Sequence, residues 1–170
     1  MDIGSRARAV RLAIFDVDGV MTDGTLYIGP DGEALKAFNI LDGHGVKMLQ
    51  AAGVVPAIIS GRSSRAVQRR AEELAIGHLV QGCTDKVAAF EKLRGELGLD
   101  AAACSFMGDD LPDLAVMQRC GFAVAVANAV DAVKEAAHYV TRAHGGRGAV
   151  REFCELVVRA RVQPVSPRAV

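Results

Sequence analysis

Apolar and polar positions alternate along the chain between two kinds of segment. Short apolar runs predict strands at 10–15, 54–59, 78–81, 104–107, 122–126 and 138–140. Between them, apolar residues recur at helical spacing over 43–52, 63–74, 86–97, 112–119, 129–137 and 148–161. Such alternation is typical of a parallel sheet with helices on both faces. The pattern therefore predicts one domain, residues 1–170, with a three-layer α/β/α Rossmann-like sheet and a frayed end from residue 163 onward.

One insertion interrupts this alternation, between the first strand and the first helix. Residues 24–29 and 33–39 flank Pro30, Asp31 and Gly32, which favour a tight turn. We therefore expect a β-hairpin flap over about 22–39 in place of a cap domain. A hairpin at this point would stand over the carboxyl end of the sheet, where open α/β sheets bind their ligands.

Composition and charge narrow the function classes. The chain is 51% apolar and 24% charged, which indicates a folded domain, and its 20 basic residues balance its 20 acidic ones. Without net charge, we expect no nucleic-acid partner and no membrane partner. No apolar run reaches the roughly 20 residues that a membrane-spanning helix needs. The four cysteines form no CxxC pair, so we expect reduced thiols and a cytoplasmic location.

An acid pair follows the first predicted strand directly. Asp16 and Asp18 lie two residues apart, so in extended chain their side chains point the same way. Gly19 then allows the sharp turn that brings backbone carbonyl groups close to them. Carboxylate and carbonyl oxygens are the ligands that Mg²⁺ takes in proteins. An isolated pair of this kind is more often only a turn cap.

Three more polar elements follow later strands. Ser60 and Gly61 offer a hydroxyl and amides to an anion, although Ser-Gly is also an ordinary turn. Lys86 begins a predicted helix, where a solvated lysine is the common alternative. The third element is an acid cluster that could instead cap a helix, and its members are Asp109, Asp110 and Asp113. All of them fall at one rim of the sheet, so coincidence explains them poorly.

This ordered set resembles the motifs of the haloacid dehalogenase superfamily of phosphatases. The resemblance implies that Asp16 is a nucleophile forming an aspartyl phosphate and that Asp18 is the acid and then the base. It also implies Mg²⁺ held by Asp16, the Asp18 carbonyl group and Asp109, with Ser60, Gly61 and Lys86 on the phosphate. Asp113 would position Lys86 or the metal's waters, and the role of Asp110 stays open.

Segments outside these motifs resemble a narrower family, the 3-deoxy-D-manno-octulosonate 8-phosphate phosphatases. They are the hairpin and residues 38–45, 139–142 and 145–152. The resemblance implies hydrolysis of that sugar ester in lipopolysaccharide precursor biosynthesis. The substrate-binding residues it suggests, beyond the phosphate site, are Asn39, Ile40, Leu41, Asp42, Gly43, Lys47 and Arg147. Arg62 and Arg70 follow the phosphate loop about two helical turns apart, so we expect them to pair with the sugar carboxylate, although an exposed basic helix face is the simpler alternative.

The same family resemblance implies a homotetramer. In it, hairpins from four copies build a small barrel, and the tail of about 144–170 from one copy lies over a neighbour's site, with Arg147 reaching in. Apolar residues of the hairpin favour burial against other copies, and these residues are Leu26, Tyr27, Ile28, Leu35 and Phe38. A mobile loop before a terminal helix is the simpler alternative.

Three other functions compete with this interpretation. A phosphatase for a nonulosonic, sialic-acid-type 9-phosphate would need the same carboxylate and polyol recognition. A regulatory module of the same fold would need no catalytic set, yet the full set is present. A phosphoacceptor receiver domain also gathers acids, a hydroxyl and a lysine, but here Lys86 precedes the second acid cluster and the first pair has the form DxD.

Overall fold

The computed structural model describes residues 1–30 and 32–162, and it contains one parallel sheet and one hairpin. The strands are β1 Leu12–Phe15, β2 Tyr27–Gly29, β3 Gly32–Leu35, β4 Val55–Ile59, β5 His78–Val80, β6 Cys104–Gly108, β7 Phe122–Ala125 and β8 Tyr139–Val140. Six of them form the sheet in the order β5-β4-β1-β6-β7-β8, and β2 pairs with β3 antiparallel. The predicted parallel α/β fold with a hairpin flap is confirmed. The expected frayed end lies outside the described residues.

The helices of the described residues are α1 Ile3–Ala9, α2 Ile40–Ala51, α3 Arg65–Glu73, α4 Lys86–Glu96, α5 Leu114–Met117, α6 Asp131–Ala136 and α7 Ala149–Val162, with 3₁₀ turns at Ala101–Ala103 and Leu111–Asp113. Six of these helices form two packed groups. The first group joins α1 and α2 to α7, and the second joins α4, α5 and α6. The chain passes through a helix between successive strands of the sheet, and the connection from β5 to β6 crosses over β4 and β1. The strands are therefore parallel, and their carboxyl ends lie at one rim.

The central strands are buried on both faces. Every residue of β1, β6 and β7 is buried, as expected where helices cover both sides of a parallel sheet. Phe15 on β1 meets Phe153 on α7 edge to face, with ring centroids 5.9 Å apart. Burying a side chain of this size is worth about 1.5–3 kcal/mol. The core therefore holds β1, and the catalytic candidates that follow it, rigidly in place.

Several predicted boundaries are wrong for local reasons. The first long helix begins at Ile40 rather than at 43, because the Asn39 side chain accepts the Leu41 N–H at 2.7 Å and caps it. The apolar period does not reveal this start, because Gly43 and Gly45 have no apolar side chain to contribute to it. The predicted helix over 112–119 is a 3₁₀ turn followed by the single turn α5. Helix α1 is too short for its period to be recognised.

The flap is shorter than its predicted arms. Its strands cover three and four residues, and their register shifts between Tyr27 and Ile28. A two-stranded ribbon has no further strand to pair with, so pairing ends early. In residues 1–30 and 32–162 the four cysteines are free, as predicted, and no helix has the length and hydropathy to cross a bilayer.

Candidate active site

Two neighbouring strands, β1 and β6, deliver the acidic residues to one point. Asp16 follows β1, and its N–H donates to the Met107 carbonyl on β6 at 3.0 Å. Asp109 follows β6 directly. Between Asp16 and the flap the chain turns tightly, with three successive N–H groups donating to the Val17 carbonyl. Gly19 has φ +86°, and a Cβ there would lie 2.0 Å from Asp109 Oδ2, so only glycine lets the two segments meet.

Lys86 joins this acidic group from α4. The Asp85 side chain caps that helix by accepting the Ala88 N–H at 2.9 Å, which fixes Lys86 in the first turn. The Lys86 Nζ lies 3.1 Å from Asp16 Oδ1 and 2.7 Å from Asp113 Oδ1, with its side chain only 8% exposed. Burial alone would lower the pKa of Lys86, but the charges of Asp16 and Asp113 outweigh it and raise the pKa. The ammonium group is thus held charged beside the predicted nucleophile.

Asp113 connects Lys86 to the backbone that follows β6. Its Oδ2 accepts the Asp109 N–H at 3.0 Å and the Asp110 N–H at 3.3 Å, while its Oδ1 accepts from Lys86. The Asp110 side chain caps the 3₁₀ turn by accepting the Leu111 N–H. These contacts agree with Asp113 positioning Lys86, and they give Asp110 a structural role.

Ser60 and Gly61 complete the rim at the end of β4. Ser60 is buried and its backbone is fixed on both sides, since its N–H donates to Val80 and its carbonyl accepts from Cys83. A cavity of about 330 Å³ lies between these elements. Its lining brings together Asp16, Asp18, Gly24, Ser60, Gly61, Arg62, Lys86, Asp109, Asp110, Pro112 and Asp113. This volume suits a small ligand.

The carboxylates repel one another in this cavity. Burial, and then the charge of Asp113, raise the pKa of Asp16 to about 6 in spite of Lys86. Burial, and then the charge of Asp16, raise the pKa of Asp109 to about 7. Oxygen atoms of Asp16, Asp109 and Asp113 lie within 4.8 Å of one another. In the described part of the chain the buried Asp109 Oδ1 has no hydrogen-bond partner. Excess negative charge and an unpartnered oxygen together fit Mg²⁺.

The flap supplies two charged residues that sequence reasoning missed. The Lys36 ammonium group pairs with Asp18 Oδ1 and lies 3.1 Å from Glu33 Oε2, with its side chain only 2% exposed. The Ser64 hydroxyl in turn donates to Glu33 Oε1. Burial would raise the pKa of Glu33, but the hydrogen bonds from Ser64 and Lys36 hold it below its usual value. From the sequence, a lysine in a short flap is expected to be a surface residue. The contact between Lys36 and Asp18 is seen only in the tertiary structure, where the flap lies against the site.

The predicted arginines occupy different surroundings. The Arg62 Nε lies 3.7 Å from Asp18 Oδ2, and its side chain is 50% exposed at the cavity mouth. Arg70 pairs with Glu73 at 2.8 Å, donates to the Asn39 carbonyl and lies over the Phe38 ring. Arg147 is 71% exposed and pairs with Asp23 of its own chain at 3.3 Å. Of the three, Arg62 alone lines the catalytic cavity.

Other predicted substrate contacts lie on α2 or at its amino-terminal cap, outside the lining of that cavity. Asp42 is buried and accepts the N–H groups of Gly148 and Arg151, at 3.3 and 2.8 Å, which caps α7. Lys47 donates to the Leu74 carbonyl at 2.6 Å, at the end of α3. Of the remaining members, Ile40 and Leu41 are exposed, Gly43 is buried against Arg70, and the Asn39 amide donates to the Gly146 carbonyl. Their contact with a substrate stays a prediction.

The glycine-rich segment of 144–148 lies against the catalytic turn of its own chain. The Gly146 N–H donates to the Val20 carbonyl at 2.9 Å. A Cβ on Gly145 would lie 1.7 Å from the Gly19 carbonyl oxygen, so these two backbones touch. The segment therefore supports the turn that carries Asp18, and its contact with a neighbouring copy stays a prediction.

A wider cleft of about 710 Å³ runs between the hairpin and α3. Phe38, Arg65, Arg69 and Arg70 line it with Glu33 and Lys36. Its lining lacks the acid cluster, so the smaller cavity is the candidate active site.

Comparisons with known proteins agree with this geometry. Residues 76–153 match the model of the haloacid dehalogenase-like hydrolase family. A 3-deoxy-D-manno-octulosonate 8-phosphate phosphatase from Yersinia pestis is 47% identical over 159 residues, covering 94% of this chain and 85% of the relative. The chain belongs to this phosphatase family. The predicted resemblance is thereby confirmed, from the superfamily to the narrower family.

Solved structures of family members show the same fold. The enzyme from Moraxella catarrhalis, crystallised with magnesium, phosphate and KDO, is 42% identical with a TM-score of 0.91, covering 94% of this chain and 91% of that one. A cobalt-bound member from Haemophilus influenzae is 38% identical with a TM-score of 0.90, covering 92% and 91%. The magnesium in the Moraxella structure agrees with the acid cluster described above.

Proposed function

We propose that this protein hydrolyses 3-deoxy-D-manno-octulosonate 8-phosphate to the free sugar acid and phosphate, with Mg²⁺ as cofactor. The observation that carries the proposal is the cluster of buried Asp16, Lys86 and Asp113 with the half-buried Asp109, in a chain 47% identical to a phosphatase of that substrate. The product of the reaction is a precursor for lipopolysaccharide.

The chemistry would proceed in two displacements. A carboxylate oxygen of Asp16 attacks phosphorus, the bond from phosphorus to the sugar oxygen breaks, and Asp18 gives its proton to that oxygen. Asp18 then takes a proton from water, whose oxygen attacks the phosphorus of the aspartyl phosphate. The second attack releases phosphate and restores the Asp16 carboxylate.

The remaining groups hold negative charge. Lys86, the Ser60 hydroxyl and the Gly61 amide would bind phosphoryl oxygens, and Asp113 would keep Lys86 in place. Asp16, Asp109 and the Asp18 carbonyl would hold the metal. When bound, Mg²⁺ shields the nucleophile from the anionic ester and stabilises the equatorial oxygens. Arg62 at the cavity mouth is our candidate for the sugar carboxylate, because guanidinium pairs with carboxylates in a bidentate way.

The test is phosphate release by the purified protein with and without Mg²⁺. The substrates are the octulosonate 8-phosphate, a nonulosonate 9-phosphate and p-nitrophenyl phosphate. We expect the first to give the highest kcat/KM, and Asp16→Asn to lose at least ~10³-fold in turnover, since it removes the nucleophile. Asp100→Asn, on an exposed residue before the Ala101–Ala103 turn, is the matched control. Preference for the nonulosonate would overturn the substrate assignment and keep the chemistry.

We also propose that four copies assemble through their hairpins. The hairpin exposes Leu26, Tyr27, Ile28 and Leu35 to solvent, and each is at least 42% exposed. Exposed apolar strands of this kind favour burial against a partner. Light scattering after size exclusion should give four times the chain mass. Ile28→Glu should lower it, whereas Val130→Glu, an exposed apolar residue away from the hairpin, should not. A monomeric wild type would refute the assembly.

A further inference from the structure

We propose that Lys36 positions the carboxyl group of Asp18 and that Glu33 holds Lys36 in place. A residue of the flap then orients the general acid of the active site. This inference rests on the function proposed above. It concerns where the carboxyl group of Asp18 is held.

Among the described residues, Asp18 has few other restraints. It lies after the end of β1, in the turn that leads to the flap, and it is more exposed than Asp16. Its Oδ1 meets the Lys36 ammonium group, and its Oδ2 has Arg62 Nε at 3.7 Å. That second distance is long for a hydrogen bond, and the Arg62 side chain is half exposed, so this pair restrains the carboxyl group weakly. Lys36 is therefore its main restraint.

Lys36 is itself fixed by groups on two elements. Its side chain is almost completely buried between the flap and the rim of the sheet, where the cost of breaking a charged pair is high. Glu33 Oε2 lies 3.1 Å from the ammonium nitrogen. The other oxygen of Glu33 accepts the hydroxyl hydrogen of Ser64, which is the cap residue of α3. Asp18, Lys36, Glu33 and Ser64 thus form one chain of contacts from the catalytic turn to a helix end.

This chain of contacts explains why the flap belongs to the site. The two strands of the β-ribbon are short and mostly exposed, so the charged contacts of Glu33 and Lys36 help to hold the flap against the site. When Lys36 is docked, the flap fixes the carboxyl group. A group that must reach both the leaving oxygen and the attacking water depends on such orientation.

The test compares two esters that differ in their need for an acid. A sugar phosphate leaves as an alkoxide and requires a proton, whereas p-nitrophenolate leaves readily without one. The quantity measured is kcat/KM, because it reports steps only up to departure of the leaving group. Lys36→Met should lower kcat/KM for the octulosonate ester by roughly tenfold or more, and for p-nitrophenyl phosphate by less than about threefold.

Three further variants sharpen the result. Lys36→Arg should recover much of the loss, because it keeps a charged donor next to Asp18. Glu33→Gln should show the same selectivity between esters with a smaller loss. Lys92→Met, the same change on an exposed lysine of α4, should leave both esters unaffected.

The outcomes separate the inference from the function on which it rests. If the wild type hydrolyses neither ester, the proposed function fails. If the wild type is active and Lys36→Met loses equally on both esters, Lys36 acts on the phosphoryl group, and the positioning role is wrong. No loss on either ester also overturns it.

Discussion

At the scale of single residues, Gly19 is as important for the geometry of the site as the charged groups are, because it has no side chain. Gly19 places its Cα where any Cβ would meet the Asp109 carboxylate, and its φ of +86° lies in the region that favours glycine. The acid pair and the second acid cluster, whose nearest members Asp18 and Asp109 are 91 positions apart in sequence, converge at this glycine. A motif search finds the acids, but the structure shows that the glycine lets oxygen atoms of Asp16 and Asp109 lie within 4.8 Å of each other.

Gly19→Ala should therefore weaken Mg²⁺ binding. The new methyl group displaces Asp109 from the cluster, and we expect an affinity loss of about tenfold or more, as is typical when groups that orient metal ligands are changed. Isothermal titration with Mg²⁺ measures it. Gly53→Ala is the matched control, since Gly53 also has positive φ (+75°) but no atom of the described residues within 4 Å of its Cβ position. Similar Mg²⁺ affinities for the two variants would contradict the prediction.

At the scale of elements, a capping residue fixes both the start of a helix and the segment that precedes it. Asp42 was expected at the substrate, yet its buried carboxylate accepts two N–H groups at the amino end of α7. The long helix α7 packs against both α1 and α2 and carries Phe153 into the core. Asp42 on α2 thus joins two helices and holds the segment of 144–148 against the catalytic turn.

Asp42→Ala should lower the free energy of unfolding by about 1–2 kcal/mol, because two helix N–H groups lose their acceptor. Asp42→Asn should lose less, since its amide oxygen can still accept. Urea denaturation of both variants measures the difference. If Asp42→Ala were as stable as the wild type and lost only substrate affinity, the capping role would be refuted and the expected substrate contact supported.

At the scale of the whole molecule, the acid cluster works against folding. Between about pH 4 and pH 7 the folded chain holds protons on Asp109 and Asp16 that the unfolded chain has lost, because their pKa values rise from 3.8 to about 7 and about 6. The contribution of such groups to stability therefore falls as pH rises through this range. Mg²⁺ offsets the same repulsion and binds only the folded arrangement of ligands, so it should stabilise most at the upper end.

Without divalent cations, each of these carboxyl groups should lower the free energy of unfolding by at most about 1.4 kcal/mol per pH unit as pH rises from 5 to 7. His138, whose pKa is lowered by burial, acts in the opposite direction over part of this range. The informative quantity is therefore the difference between wild type and Asp109→Asn, measured by urea denaturation with chelator at several pH values. Saturating Mg²⁺ should make the wild-type curve flatter. Identical slopes for the two proteins would contradict the prediction.

The sequence by itself determined the α/β/α fold, the flap and the rim that carries Asp16, Ser60, Lys86 and Asp109. It could do so because strand and helix periods are local, and because parallel strands end on the same side of a sheet. The tertiary structure alone decided that Asp113 holds Lys86, that Asp42 caps α7, and that Lys36 reaches Asp18. These contacts join residues 18 to 109 positions apart in sequence, and their charges became informative only when packing removed them from water.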